Sequence, residues 1–384
     1  MIDLSPETFR ALGYRAVDLI VERLTALPYT PVRQPVPAEI REQLMRSPLP
    51  TEGSDPADVL NRIAELVLPY PMGNASGRFF AWVNSPPAPL GVLGELIAAA
   101  HDPSVAGGDH AATYVEHGVL NWIKSIFGYP ADSGAILTSG GSVATLIGLA
   151  VMRHVKSEGA VRAQGFQNAA APMVIYASTQ AHSCVQKAAE LLGFGSDYLH
   201  KIPVDSDYCM DVGALAQQIA ADRAAGLRPV CVVASAGTVN TGAIDPFALL
   251  ADLCQRENLW LHVDGAYGGF GILAEQTAGL YEGIARADSL GVDPHKWLYV
   301  PVECGCTIVR DAEAMRDAFS LVRHPTCATT ARCPGSRSSA SSRRAASGRL
   351  LWMTFQQLGL TATANSSATT RLAQTLREKI CARP

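Results

Sequence analysis

The stretch LWLHVDGAYGG, residues 259–269, begins as an apolar run and ends in an aspartate followed by small residues. A short apolar run bounded by turn residues is typical of a buried strand. Further runs of this kind lie at 135–138, 173–177, 230–234 and 306–309. Helical patterns lie between them, at 142–155, 183–193, 211–225 and 246–257. This alternation predicts an α/β domain with a largely parallel sheet and a ligand site at the strand ends.

The composition excludes several classes of protein. The 384 residues are 48% apolar and 17% charged, which suits a sizeable core rather than general disorder. No apolar run reaches the ~18 residues of a membrane helix, and the N-terminus lacks the features of a secretory signal. Nine cysteines without framework spacing indicate reduced thiols in a cytoplasmic protein. A net charge of −4 gives no indication of nucleic-acid binding.

Both ends of the chain differ from this α/β pattern. Ser5-Pro6 and Asp55-Pro56 are helix starts within residues 1–84, which we interpret as a helical arm that packs on something else. The α/β domain is predicted over 85–322. Residues 323–349 lack Val, Ile, Leu, Met, Phe, Trp, Tyr and acids, so they bury too little apolar surface to become ordered.

The composition again resembles that of a folded domain at Leu350–Leu360 and at Leu372–Pro384, but not over 361–371. This alternation with stretches rich in Arg, Ser, Ala and Thr suggests a reading-frame slip in high-GC coding DNA. A genuinely divergent linker is the alternative. Resequencing the coding region separates the two, since a slip requires compensating insertions or deletions.

Four motifs carry candidate chemistry at predicted strand ends. In DPHKW, 293–297, Lys296 beside an aromatic residue could react as an amine with a carbonyl, or it could be a surface lysine. Asp264 in HVDGAYGG needs a partner such as a protonated ring nitrogen, and Ala266 leaves room for a flat ring. A helix N-cap aspartate is the alternative for Asp264.

The other two motifs also follow predicted strands. Gly141 and Ser142 in TSGGS predict an anion site at a helix N-terminus. His182 in QAHS could stack on a ring or cap a helix.

Together these residues have the composition of a pyridoxal 5'-phosphate site. The sequence resembles the group II pyridoxal-phosphate-dependent decarboxylases, whose members include the aromatic L-amino-acid, glutamate and cysteine-sulfinate enzymes. The resemblance spans roughly residues 1–322. The strings that carry it are GRFFAWVNSP, TSGGS, QAHSCVQKAA, GTVNTGAIDP, HVDGAYGG and VDPHKWL.

The resemblance implies a fold type I, aspartate aminotransferase-like large domain with an N-terminal arm, and 350–384 as the start of an incomplete small domain. It implies three catalytic roles: Lys296 would hold the cofactor, Asp264 would pair with its ring nitrogen, and His182 would stack on its ring. The other cofactor-binding residues would be Gly141, Ser142, Thr238, Ala266, Asp293 and His295. The substrate, an aromatic L-amino acid, would contact Ser85, Phe80 and Trp82. A homodimer without metal, nucleic acid or membrane is the expected assembly.

The sequence departs from the family after residue 322. Members carry there a mobile loop whose tyrosine protonates the carbanion, whereas this chain has no tyrosine beyond Tyr299. Val239 also replaces a threonine that relatives often carry. These departures leave two alternatives to an amine-forming decarboxylase. One is a cofactor-binding remnant with impaired turnover, and the other is an aminotransferase or aldehyde-forming relative.

Overall fold

The computed structural model describes residues 4–102, 109–167, 171–320 and 344–364. The chain divides into two compact units, Met1–Pro86 and Pro87–Pro384. The first unit contains the helices α1 (Pro6–Ala26), α2 (Ala38–Met45) and α3 (Pro56–Leu66). The side chain of Ser5 accepts a hydrogen bond from the Thr8 amide at 3.1 Å, and Asp55 accepts from the Ala57 amide at 2.8 Å. Both predicted helix starts therefore rest on side-chain caps followed by proline.

The second unit is built on a seven-stranded sheet with the order β1-β7-β6-β5-β4-β2-β3. Strand β7 runs antiparallel to both of its neighbours, and the other pairs are parallel. The carboxyl ends of β1, β2, β4, β5 and β6 consequently meet at one edge. The strands are β1 (Gly134–Thr138), β2 (Met173–Ser178), β3 (Leu199–Ile202), β4 (Arg228–Ser235), β5 (Trp260–Gly265), β6 (Ser289–Val292) and β7 (Gly305–Val309).

Helices cover this sheet, and α6 and α8 contribute to an apolar core against it that includes Leu149, Met152 and Val185. No helix among the described residues is long and apolar enough to cross a membrane. The helices of this unit are α4 (Pro89–His101), α5 (Ala111–Ile126), α6 (Gly141–Lys156), α7 (Ala160–Gln164), α8 (Ser183–Leu191), α9 (Val212–Ala224), α10 (Phe247–Glu257), α11 (Pro294–Trp297), α12 (Ala312–Phe319) and α13 (Arg344–Ala364).

The predicted α/β class with a mostly parallel sheet is confirmed, and all five predicted strands occur within two residues of their expected bounds. The strands β3 and β6 were not predicted from the sequence. β3 at the sheet edge has two polar residues between two apolar ones, and β6 is a four-residue run that contains Gly291. Such short segments carry little periodic signal, and hydrogen bonds from neighbouring strands define them.

Helix α13 packs on α4 and α5 within the second unit. Leu350 and Leu351 are buried, and the ring of Phe355 meets the ring of Trp122 edge-on with 5.8 Å between centroids. The described part of residues 350–384 lies in the same compact unit as the sheet. Its assignment to the start of an incomplete small domain remains a prediction. Most of the segment predicted to be unstructured lies outside the described residues, although 344–349 are helical.

We expect Leu351→Ala to lower the free energy of unfolding by ~2–5 kcal/mol, because this fully buried side chain would leave a cavity between α13 and the rest of the unit. Urea denaturation followed by circular dichroism measures the change. The control is Gln357→Ala on an exposed position of the same helix, for which we expect less than about 0.5 kcal/mol. Equal stability of the L351A variant and the parent would show that α13 does not contribute to this core.

Candidate active site

The loops that leave the carboxyl ends of β1, β2, β4, β5 and β6 surround one cavity of about 310 Å³. Parallel strands in register deliver these loops to the same edge of the sheet, where ligand sites of open α/β sheets are found. Asp264 lies opposite Ser235 on one side and Gly291 on the other. The cavity is lined by Ser139, Gly140, Gly141, Ser142, Val143, His182, Cys184, Ser235, Gly237, Thr238, Val239, Asp264, Ala266, Tyr267, Asp293, His295 and Lys296.

One wall of the cavity is the N-terminus of α6. The first N–H groups of a helix have no partner within the helix, and the helix dipole adds partial positive charge there. The amides of Val143 and Ala144 both donate to the carbonyl of Gly140, which leaves the amides of Gly141 and Ser142 as the outermost donors. A Cβ on Gly141 would lie 2.4 Å from that of Ala266, so only glycine allows the two loops to approach this closely.

The carboxylate of Asp264 ends β5 and is 8% exposed. Its Oδ1 accepts a hydrogen bond from the Ala266 amide at 3.1 Å. Its Oδ2 lies 3.6 Å from the sulfur of Cys184, which donates its thiol proton to it. A buried carboxylate without partners would be costly, so these donors fix the side chain while it still lines the cavity.

Lys296 lies in the four-residue helix α11, which follows β6 directly. Its Nζ forms an ion pair with Oδ2 of Asp293 at 3.0 Å. Asp293 is 2% exposed, and its Oδ1 is buried without a hydrogen-bond partner among the described residues. The turn therefore presents an amine to the cavity, anchored by a carboxylate that retains unused hydrogen-bonding capacity.

The two histidines of the site are held by backbone groups. Nδ1 of His182 accepts a hydrogen bond from the Cys184 amide at 3.2 Å, which caps α8 and leaves Nε2 to carry the ring proton. Nδ1 of His295 lies 2.7 Å from the carbonyl oxygen of Cys304 and donates to it. His182 thus fulfils the capping role that the sequence offered as an alternative, and it lines the cavity as well.

The loop after β4 closes the cavity on another side. Gly237 has φ +88°, and a Cβ there would lie 2.9 Å from Cα of Gly268. Both the left-handed backbone and the close contact therefore require glycine at this position. The hydroxyl of Thr238 lies 2.5 Å from that of Thr241 and accepts from the Ala243 amide. Asp245 anchors the end of the loop by accepting from the Met210 and Ser235 amides, and burial raises its pKa to about 6.

Beneath the site, His262 supports β5 from within the core. It is fully buried, and burial lowers its pKa to about 4, so the ring is neutral. Its Nδ1 lies 2.8 Å from the hydroxyl oxygen of Ser289, which also accepts from the indole N–H of Trp260. The Ser289 hydroxyl therefore bonds to two side chains of β5, and these hydrogen bonds join β5 to β6.

Every residue predicted to bind the cofactor lines this single cavity. The three predicted substrate residues belong to the N-terminal unit, where Phe80 is 91% and Trp82 75% exposed. The role assigned to them and to Ser85 remains a prediction. The sequence analysis did not identify Cys184, Ser235 or Tyr267 as lining residues. The string QAHSCVQKAA already contained Cys184 two positions after His182, which is a spacing that brings both to the start of one helix.

Comparison with known proteins identifies the family of this chain. A family profile described as "Pyridoxal-dependent decarboxylase conserved domain" matches residues 37–384. The aromatic-L-amino-acid decarboxylase of Bacillus atrophaeus is 36% identical over 84% of this chain, and tryptophan decarboxylase 1 of Oryza sativa subsp. japonica is 31% identical over 81%. The chain spans 65% and 63% of the length of these two relatives.

Solved structures agree with this result. The crystal structure of Oryza sativa TDC with PLP and tryptamine superposes with a TM-score of 0.84 at 27% identity. The similarity covers 95% of this chain and 77% of that one. The profile match, the relatives and the shared fold together show that this chain belongs to the pyridoxal-dependent decarboxylase family.

Proposed function

We propose that this chain decarboxylates an L-amino acid with pyridoxal 5'-phosphate bound in the cavity described above. One observation carries the proposal, namely that an amine, a buried carboxylate and a helix N-terminus converge on a single cavity. They belong to Lys296, Asp264 and α6. These are the complements of the aldehyde, the protonated ring nitrogen and the phosphate of the cofactor.

The residues present fit this cofactor. The cavity of about 310 Å³ lies between the close-packed Gly141 and Ala266 on one side and the Gly237 loop on the other. The amides of Gly141 and Ser142 would hold the phosphate, because a helix N-terminus binds anions through free N–H groups and the dipole. Asp293 Oδ1, buried without a partner among the described residues, is an acceptor for a polar group that enters the cavity.

Each side chain then has a defined task. The bound cofactor supplies an electron sink for the carbanion that remains when CO₂ leaves. Asp264 would pair with the protonated ring nitrogen, because the carboxylate is buried and already oriented by two donors. Lys296 would supply the amine that holds the cofactor, and the ion pair with Asp293 positions this amine. His182 presents the ring whose Nδ1 is fixed by the Cys184 amide.

We further propose an aromatic amino acid as the substrate. Two relatives are named for aromatic substrates, one as an aromatic-L-amino-acid decarboxylase and one as a tryptophan decarboxylase. Two further relatives are named as an L-2,4-diaminobutyrate decarboxylase and a cysteine sulfinic acid decarboxylase, at 31% and 30% identity. The lining of the cavity includes Val143, Val239 and Tyr267, whose apolar or aromatic side chains suit an aromatic substrate.

A homodimer is the proposed assembly. Helix α4 buries Gly91, Gly94 and Ala98 on one side, whereas its other side exposes apolar side chains. Leu96 is 55% and Ile97 58% exposed. A contiguous apolar patch on a helix is costly in water and is typical of a protein–protein interface.

We place the proposed enzyme in the cytoplasm. The described cysteines are all free thiols, and most of them are buried in the second unit. Reducing compartments keep thiols in this state, whereas secreted proteins tend to form disulfides. The free cysteines are Cys184, Cys209, Cys231, Cys254, Cys304 and Cys306.

Lys296→Ala is expected to abolish the visible absorbance band that appears when the protein is mixed with pyridoxal phosphate, and to lower activity at least about 100-fold. The reason is that Lys296 is the only lysine among the described residues that line the cavity. Lys187→Ala on the exposed side of α8 is the matched control and should retain the band. Borohydride reduction followed by peptide mass spectrometry should locate the pyridoxyl group on Lys296. Label on another lysine would contradict the proposal.

Aromatic amino acids are expected to yield amine and CO₂ in a panel that also contains glutamate, with amine measured by chromatography. Production of CO₂ from glutamate alone would overturn the aromatic preference. An aldehyde in place of the amine would support the aldehyde-forming alternative, and a bound cofactor without turnover would support the remnant. Consumption of a keto acid would indicate an aminotransferase.

Sedimentation velocity should show the parent chain as a dimer. The double variant Leu96→Glu/Ile97→Glu should sediment as a monomer, because two buried carboxylates would face the apolar patch of the partner. Gln217→Glu on an exposed position of α9 is the charge control and should remain dimeric. A monomeric parent would contradict the proposed assembly.

A further inference from the structure

We infer that Cys184 is a positioning residue that orients Asp264 and His182 together, the carboxylate through its thiol and the imidazole through its amide. This inference rests on the proposed function, since it assigns the two side chains their part in holding the cofactor. It adds a residue to which the sequence analysis gave no role.

The geometry places Cys184 between the two groups. Its sulfur lies 3.6 Å from Oδ2 of Asp264, and its backbone N–H donates to Nδ1 of His182 at 3.2 Å. Cys184 is 4% exposed and lines the cavity in the first turn of α8. A single residue at a helix start therefore fixes one group that follows β2 and another at the end of β5.

The thiol is the donor in this contact. Burial raises the pKa of Cys184, and the charge of Asp264 raises it further, so the sulfur keeps its proton. The hydroxyl oxygen of Thr145 is a second acceptor for this thiol, at 4.0 Å from the sulfur. Oδ2 of Asp264 is the nearer acceptor at 3.6 Å and carries negative charge, so it is the favoured partner of the thiol proton.

The consequence concerns the orientation of the carboxylate. Oδ1 is held by the Ala266 amide and Oδ2 by the Cys184 thiol, so rotation of the carboxylate is opposed at both oxygens. A thiol is a weaker donor than a hydroxyl or an amide. It therefore orients Oδ2 while leaving most of the negative charge available to a protonated ring nitrogen in the cavity.

The first test uses the protein without cofactor. The infrared S–H stretching band of Cys184 is isolated as the difference between the parent and Cys184→Ala. We expect it at lower frequency than that of a free thiol, because donation to a carboxylate weakens the S–H bond. Asp264→Asn, referenced to its own C184A double variant, should shift the band to higher frequency. An unshifted band would overturn the inference.

The second test measures cofactor affinity by titration of the visible band. Cys184→Ala should weaken binding about fivefold and change the position of the band, because the carboxylate loses one of its two donors. Cys184→Ser keeps a donor and should restore affinity to within about twofold of the parent. Cys254→Ala removes a buried thiol from α10, away from the cavity, and should leave affinity and spectrum unchanged. Equal affinities for C184A and C184S would overturn the inference.

These tests separate this inference from the proposed function. A parent protein that binds no pyridoxal phosphate contradicts the proposed function, whereas the infrared comparison still decides whether the thiol donates to Asp264. If the parent binds the cofactor but the S–H stretching frequency of Cys184 does not change in the Asp264→Asn variant, only the inference is contradicted.

Discussion

A carboxylate buried at the carboxyl end of a central strand is the group on which this site depends. Asp264 is 8% exposed, and a charge in such a place is tolerated only where donors compensate for the water it has lost. The Ala266 amide and the Cys184 thiol provide two of these donors. The remaining face of the carboxylate points at a cavity that a cofactor with a protonated ring nitrogen would fill.

The rest of the second unit brings other groups to that carboxylate. The parallel run of β6-β5-β4-β2 and the matching direction of β1 place five connecting loops at one edge of the sheet. Close approach between these loops requires the absence of side chains at Gly141 and Gly237, where a Cβ would overlap Ala266 and Gly268. Side-chain hydrogen bonds then hold the loop after β4, through the Thr238–Thr241 contact and the two amides bound by Asp245.

Motifs at strand ends were predictable because they combine rare residue choices with fixed positions after apolar runs. Lys296 in DPHKW and Asp264 in HVDGAYGG could be assigned from their strings, and the structure brings both to one cavity. Cys184 could not be assigned in this way, because its role depends on the distance between α8 and β5. The two residues whose side chains meet there, Cys184 and Asp264, are 80 residues apart in the sequence. The antiparallel direction of β7 and the packing of α13 on α4 and α5 were likewise absent from any local pattern.

The amino-acid sequence by itself determined the α/β class, the strand ends that carry chemistry and the family to which the chain belongs. These properties follow from local periodicity and from side chains whose chemistry is evident one motif at a time. Only the tertiary structure decided which oxygen of Asp264 meets which donor and which partner holds Lys296. It also decided at which positions a close approach between loops requires glycine. The contact of Asp264 with Cys184 and the close approaches at Gly141 and Gly237 join segments distant in the chain. Their distances arise from packing of the whole sheet, which no local sequence pattern encodes.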